Sequence, residues 1–301
     1  MKRRQFMALV GGAAAWSLAA SGEQPERVRR IGLLVPYPES DAQNQSRIKA
    51  FEQSLQQFGW ITGRNIHVDY RWAAGEAQIQ RLAKELVQLA PDVILGQSTP
   101  STRALKGATS SIPIVFVQVT DPVGAGFVKS LARPGSNITG FAMYEPAMGT
   151  KWLELLREIA PGVRRVGLLF NPETAPGRGV FFSDAIETAA PSFGVVSTAL
   201  PVGGAAEIKI SIQTFARDPN VGLFVMPDVT TQLHRELIVE LAACIASLRS
   251  THSDSSSRAV VSSATESIQS SSFVRRHRTL IAFCAVRNQT SFRYRHPPST
   301  R

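Results

Sequence analysis

The chain has few cysteines and histidines, and this limits the chemistry it can perform. Only two of its 301 residues are cysteines, Cys244 and Cys284, and the five histidines show no HxxxH or HExxH spacing. Residues 1–243 therefore contain no disulfide, no thiol nucleophile and no cysteine metal site. The sequence predicts no metal and no cofactor.

The central part of the chain also lacks an excess of charge. The net charge of +10 arises at the two ends, because residues 23–243 hold 21 basic and 21 acidic side chains. A nucleic-acid partner requires a basic surface on the folded part of a protein. We therefore expect no nucleic-acid partner.

Residues 1–22 have the features of an export signal. Lys2, Arg3 and Arg4 precede an apolar run over residues 6–18, and small residues follow at Ala19 and Ala20. The run is shorter than the roughly 20 residues that span a bilayer. We expect cleavage near residue 20 and a periplasmic location, reached by the general secretory or the twin-arginine route.

Strand and helix patterns alternate along residues 23–243. Short apolar runs, such as residues 28–35 and 165–170, are followed by segments with helical spacing, such as residues 46–58 with Ile48, Phe51 and Leu55 on one face. This alternation predicts an α/β protein with parallel sheets that carry helices on both faces. We predict two lobes, residues 23–145 and 146–243.

Polar side chains follow several of the predicted strands. In open α/β sheets ligands bind at the carboxyl ends of the strands, where these residues should lie. Each residue also has a structural alternative, since Ser and Thr cap helices and Asp and Asn occur in turns. The set contains three hydroxyls, one amide and two acids but no base, which favours binding of a small polar molecule over acid-base catalysis. Its members are Ser98, Thr99, Thr120, Asp121, Asn171 and Asp228.

Four segments together resemble a known family. They are RRIGLLVPYPESD at residues 29–41, FGWITGRNIHVDYRWAAG at 58–75, VQVTDPVGAGFVKSLARPGSNITGF at 117–141 and VMPDVTTQLHRELIVELAA at 225–243. They are similar to the solute-binding proteins of ABC uptake systems, in the type I periplasmic-binding-protein branch related to tryptophan and tyrosine receptors.

The resemblance implies a monomeric, non-catalytic receptor. Two lobes would close around a hinge on a small ligand and deliver it to ABC permease subunits in the inner membrane. It adds Tyr37 to the six candidate residues. An amino acid is the first choice, with its carboxylate at Ser98 and Thr99 and its ammonium at Asp121 or Asp228.

Two other classes remain open. One is an exported α/β enzyme that acts on a small metabolite, for which turnover on a metabolite panel is the discriminating observation. The other is a ligand-binding partner of a periplasmic sensor, which genes for a histidine kinase nearby would favour over genes for a permease and an ATPase.

Residues 244–301 interrupt the alternation. Of these 58 residues 14 are serine and nine are arginine. A basic disordered tail is one interpretation. The other is a frameshift, because a frame shifted by one base can encode HRLPAVYPFRFFVASGGLISYGIDPI and then RPSASYIDRILRGEKPDELPVSAPTKYE. These strings match what the family places here, so we predict an incomplete second lobe followed by a disordered, aberrant tail. We expect this altered C-terminus to impair the receptor.

Overall fold

Apolar runs that alternate with amphipathic segments fold into two α/β lobes. A computed structural model describes residues 28–250 and 260–263. The elements of the first lobe are β1 (Arg29–Val35), α1 (Ala42–Gln57), β2 (Ile66–Trp72), α2 (Glu76–Gln88), β3 (Val93–Gln97), α3 (Ser98–Ala108), β4 (Ile114–Val119) and β5 (Ile138–Ala142).

The second lobe repeats the strand and helix alternation. Short 3₁₀ turns at Pro176–Gly179 and Ala190–Phe193 flank one of its helices. Its elements are α4 (Met148–Ile159), β6 (Arg165–Phe170), α5 (Val180–Ala189), β7 (Val196–Pro201), α6 (Ala205–Phe215), β8 (Val221–Val225), α7 (Val229–Leu233), α8 (Arg235–Ser250) and β9 (Val260–Ser263).

Both sheets are parallel. The first has the strand order β2-β1-β3-β4-β5 and the second β7-β6-β8-β9. Parallel strands need crossover connections, and helices supply most of them. The predicted α/β class with two sheet-and-helix lobes is confirmed.

Separate apolar clusters cover the two faces of each sheet. In the first lobe Leu34 packs with α2 and α3, while its neighbours Leu33 and Val35 face the opposite way toward α1. In the second lobe Leu168 packs with α4 and α5, and Leu169 with α6 and α8. Neighbouring strand residues thus serve opposite faces, as buried parallel strands require.

Helix α1 begins four residues before the segment with clear apolar spacing. Its N-cap is Asp41, whose side chain accepts a hydrogen bond from the backbone N–H of Asn44 at 2.8 Å. The sequence pattern indicated a helix only from residue 46, because the first turn contains few apolar residues. The cap places Asn44 and Arg47 on α1, toward the first lobe's strand ends.

The segment from residue 244 has more regular structure than its composition predicts. Helix α8 extends to Ser250, and Ile245 packs against the apolar cluster formed with α6. Strand β9 lies parallel to β8, with Gly222 opposite Val260 and Val225 opposite Ser263. Regular structure therefore continues past residue 243 at these residues, where the sequence predicted an aberrant tail. Helical apolar spacing and a β-branched pair explain the two elements, and the rest of the predicted tail lies outside the described residues.

Candidate functional site

A cavity of about 370 Å³ lies between the two lobes, where strands β1, β3 and β4 end. The first lobe contributes residues from α1, the start of α3 and the segment after β5, and the second contributes residues around Asp228. This is the position at which open α/β sheets bind ligands. The polar lining residues are Tyr37, Arg47, Gln97, Ser98, Thr99, Gln118, Thr120, Tyr144, Thr174, Asp228 and Gln232.

Five of the seven residues predicted from the sequence line this cavity. They are Tyr37, Ser98, Thr99, Thr120 and Asp228, and all five are buried. They come from three strand ends of the first lobe and one of the second. The rule that polar residues after parallel strands converge therefore holds for these five positions.

The amino end of α3 faces the cavity. Helix α3 starts directly after β3, and Ser98 adopts a positive φ of 74° at this junction. The hydroxyl of Ser98 is buried and has no hydrogen-bond partner among the described residues. Gly96 permits the sharp entry, because a Cβ there would lie 3.0 Å from Leu105 and 3.1 Å from Thr102. The unpaired N–H groups of a helix start favour an anion at this place.

A chain of side-chain amides connects this helix start to an arginine. The guanidinium of Arg47 can only donate, so the side-chain oxygen of Gln118 faces it, 3.2 Å from Nε and 3.3 Å from Nη1. The amide groups of Gln118 and Gln97 are 2.6 Å apart, and those of Gln97 and Asn44 are 2.7 Å apart. Gln118 has a φ of 57°. This network fixes Arg47 beside the amino end of α3.

Asp228 lies on the opposite side of the cavity, in the second lobe. It is the N-cap of α7, and its carboxylate accepts hydrogen bonds from the backbone N–H groups of Thr231 and Asn171, both at 2.9 Å, and from the hydroxyl of Thr174 at 3.1 Å. Burial raises the pKa of Asp228 to about 6, although these hydrogen bonds act in the other direction. A buried carboxylate of this kind favours a cation next to it.

Asp121 and Asn171 do not line the cavity. The carboxylate of Asp121 accepts a hydrogen bond from the backbone N–H of Gly124 at 2.8 Å and so closes a turn. The side chain of Asn171 donates to the hydroxyl of Thr230 at 2.8 Å and joins β6 to α7. For these two residues the structural alternative applies, since short polar side chains at strand ends satisfy backbone groups.

The aromatic residues also divide into two groups. Tyr70 and Trp72 stack on each other with ring centres 6.0 Å apart and pack against the first lobe's core. Phe141 lines the cavity and is 73% exposed. Phe141 follows Gly140 on β5, and successive side chains of a strand point to opposite faces. A Cβ at Gly140 would lie 2.2 Å from the carbonyl oxygen of Phe116. An exposed phenyl ring at a cavity is suited to cover an apolar part of a ligand.

Several lining residues are absent from the set predicted from the sequence. Arg47 lies inside α1, and only the fold decides which face of that helix meets the cavity. Gln97, Gln118 and Thr174 are adjacent to polar loops at strand ends, so the same rule could have found them. No group of three His, Cys, Asp or Glu side chains suited to a metal occurs within residues 28–250 and 260–263.

Two α/β lobes with a polar cavity between them are typical of proteins that bind a small ligand between two lobes. The chain belongs to the family of ABC transporter substrate binding proteins, which matches residues 35–245. Within residues 28–250 and 260–263, no helix has the length and apolar character to cross a membrane.

Relatives and solved structures agree with this family. A tyrosine-binding protein of Clostridioides difficile is 36% identical over 149 residues, and the match covers 48% of this chain and 41% of that protein, so less than half of its length is compared. A conserved domain protein from Vibrio cholerae is 27% identical, with a TM-score of 0.68 over 79% of this chain and 75% of that one. An ABC domain from Streptococcus pneumoniae in complex with L-Trp is 21% identical, with a TM-score of 0.67 over 78% and 74% of the two chains. At that identity the likeness shows the fold.

Proposed function

We propose that this protein is the extracytoplasmic receptor of an ABC uptake transporter and binds an amino acid between its lobes. The observation that carries the proposal is the charge distribution in the cavity. Its two charged lining residues are Arg47 in the first lobe and Asp228 in the second. A zwitterion that meets both would join the lobes, which is how a ligand favours a closed state.

The polar groups suit the two ends of an amino acid. The amino end of α3, with Ser98 and Thr99, offers N–H and hydroxyl donors to a carboxylate. Asp228 offers a buried carboxylate to an ammonium group. Phe51, Phe141 and Tyr144 supply apolar surface for a side chain. The tyrosine-binding relative and the structure with bound L-Trp support a preference for amino acids of this size.

The location and the partners follow from the receptor role. Residues 1–22 would direct export to the periplasm, and the lobes would contact membrane-bound permease subunits of the transporter. The neutral charge of residues 23–243 fits docking through lobe surfaces whose relative position changes on closure. The receptor carries out no chemical step in this role.

Calorimetry with the common L-amino acids tests the proposal. We expect at least one of them to bind the wild-type chain without turnover. Asp228→Asn should reduce the affinity for that amino acid by about tenfold or more. Asp184→Asn is the matched control, because Asp184 is exposed on α5 and lies outside the cavity. Binding of no amino acid, or chemical conversion of the bound one, would contradict the proposal.

A further inference from the structure

Arg47 is a cavity residue that the sequence analysis did not select. It lies in the second turn of α1 and lines the cavity together with Ile48 and Phe51 of the same helix. It is partly buried. Burial raises the pKa of Tyr37, which also lines the cavity, and the positive charge of Arg47 acts in the opposite direction. A guanidinium presents N–H donors in a planar fork that matches the geometry of a carboxylate.

The surrounding groups hold the guanidinium in one orientation. Gln118 accepts from Nε and Nη1, its amide group lies 2.6 Å from that of Gln97, and the amide groups of Gln97 and Asn44 are 2.7 Å apart. Asn44 is buried and lies one helical turn before Arg47 on α1. An arginine whose Nε and Nη1 already donate to Gln118 has less side-chain entropy to lose on binding a ligand.

Two independent anion-attracting features therefore meet on the same side of the cavity. One is the amino end of α3 with the buried hydroxyl of Ser98, which has no partner among the described residues. The other is the guanidinium of Arg47, connected to residue 97 through Gln118. Asp228 belongs to the other lobe.

We infer that Arg47 is a specificity-determining residue that binds the ligand's carboxylate, so that the receptor selects carboxylic acids over their uncharged analogues. The inference rests on the proposed function and adds a residue to it. Charge-assisted hydrogen bonds from a guanidinium are stronger than those from hydroxyl or backbone donors. Removal of Arg47 should therefore cost more affinity than removal of the Ser98 hydroxyl.

The test measures the binding of several related ligands to several variants of the protein. The protein variants are Arg47→Met, Arg47→Lys and, as the matched control, Lys49→Met, which removes an exposed cation from the same helix. The probes are L-tyrosine, L-tyrosinamide, 3-(4-hydroxyphenyl)propionate and tyramine, which all carry the same 4-hydroxyphenyl group. Calorimetry measures affinity, and thermal melting without ligand shows whether each variant is folded.

We expect Arg47→Met to reduce the affinity for L-tyrosine and for the propionate by about tenfold or more. The affinity for the two probes without a carboxylate should fall less than about threefold. Arg47→Lys should recover part of the loss, and Lys49→Met should change nothing. Equal losses for acid and amide in a folded Arg47→Met variant would overturn the inference and leave the receptor function standing.

Other outcomes also separate the two proposals. If no amino acid binds but simple carboxylates bind in an Arg47-dependent way, the amino-acid proposal fails and the role of Arg47 stands. If tyramine binds as tightly as L-tyrosine to the wild-type chain, the role of Arg47 is wrong. Binding of none of the acids, including the other amino acids, contradicts both.

Discussion

Arg235 donates a hydrogen bond from Nη1 to Oδ2 of Asp41 at 2.7 Å, although 194 residues separate them in the chain. Asp41 caps α1 in the first lobe, and Arg235 begins α8 in the second. Beside this ion pair, Val229 of α7 packs against Leu33, Val35 and Tyr37 of the first lobe. The lobes cannot separate on this side without breaking the pair and exposing Val229.

The first prediction concerns this ion pair. Arg235→Met removes the pair and leaves the cap of α1 intact, so the ligand-free protein should be more open. We expect a larger radius of gyration by small-angle scattering and a coupling with Asp41→Asn of about 1 kcal/mol in a double-mutant cycle. Arg178→Met is the control, because its pair with Glu173 is exposed and lies within one lobe. A cycle without coupling would show that the pair does not hold the lobes together.

The second prediction follows from the raised pKa of Asp228. Since burial raises this pKa to about 6, the carboxyl group becomes neutral as the pH falls through 6 and no longer attracts an ammonium group. The affinity for an amino acid should therefore fall as the pH is lowered from 7 to 5. Titration calorimetry with L-tyrosine measures this change. 3-(4-hydroxyphenyl)propionate, which has no ammonium group, should lack this pH dependence, and Asp228→Asn should abolish it.

The third prediction concerns Phe141. Because 73% of its surface is exposed, Phe141→Ala should change the free energy of unfolding by less than about 0.5 kcal/mol. It should reduce the affinity for a ligand with an aromatic ring by about 2- to 10-fold, the range expected for loss of one aromatic contact. Phe58→Ala is the matched control, because Phe58 is 82% exposed and does not line the cavity. Equal affinities of the two variants would exclude Phe141 from the ligand contact.

The fourth prediction separates Asp121 from Thr120. Asp121 closes the turn to Gly124 outside the cavity, whereas its neighbour Thr120 lines it. Asp121→Asn should leave affinity within about twofold of the wild type, while Thr120→Val should reduce it about 3- to 10-fold through one lost hydrogen bond. Calorimetry measures the ligand affinity of both variants. A larger loss for Asp121→Asn would restore Asp121 to the site.

Sequence reasoning found the strands and many cavity residues for one physical reason. Buried parallel strands need continuous apolar runs, and whatever follows such a run lies at the ligand-binding edge. Ser98 and Thr120 were found in this way. The same rule selected Asp121 and Asn171, because it cannot tell a side chain that faces a cavity from one that bonds to its own turn.

Arg47 and the interlobe contacts depend on tertiary structure. A helix face reaches a cavity only through the packing of the whole lobe, so no local pattern around Arg47 distinguishes it from Lys49. The pair of Asp41 and Arg235 joins residues far apart in the chain. The exposure of Phe141 also depends on the fold, because its place on β5 brings its ring to the cavity.

The last prediction concerns the reading frame of residues 244–301. Among residues 28–250 and 260–263, β9 is the last strand of the second sheet, and its four residues pair with Gly222 to Val225 of β8. The shifted frame encodes a strand, a Gly-Gly turn with a second strand and an amphipathic helix, which would extend this edge and add to the apolar cluster around Ile238 and Ala242. Resequencing the gene should reveal the shift.

A chain in which the shifted-frame segment replaces residues 244–301 should be the better receptor. A longer edge strand and a helix that buries apolar surface stabilise the second lobe, and each additional 1 kcal/mol raises the melting temperature by about 2–4 °C for a protein of this size. We expect a higher melting temperature, slower proteolysis and tighter amino-acid binding than in the present chain. A replacement of equal length with the same residues in scrambled order is the control. If the present chain melts cooperatively at the same temperature and binds as tightly as the restored one, residues 244–301 are a genuine part of the receptor and the frameshift interpretation is wrong.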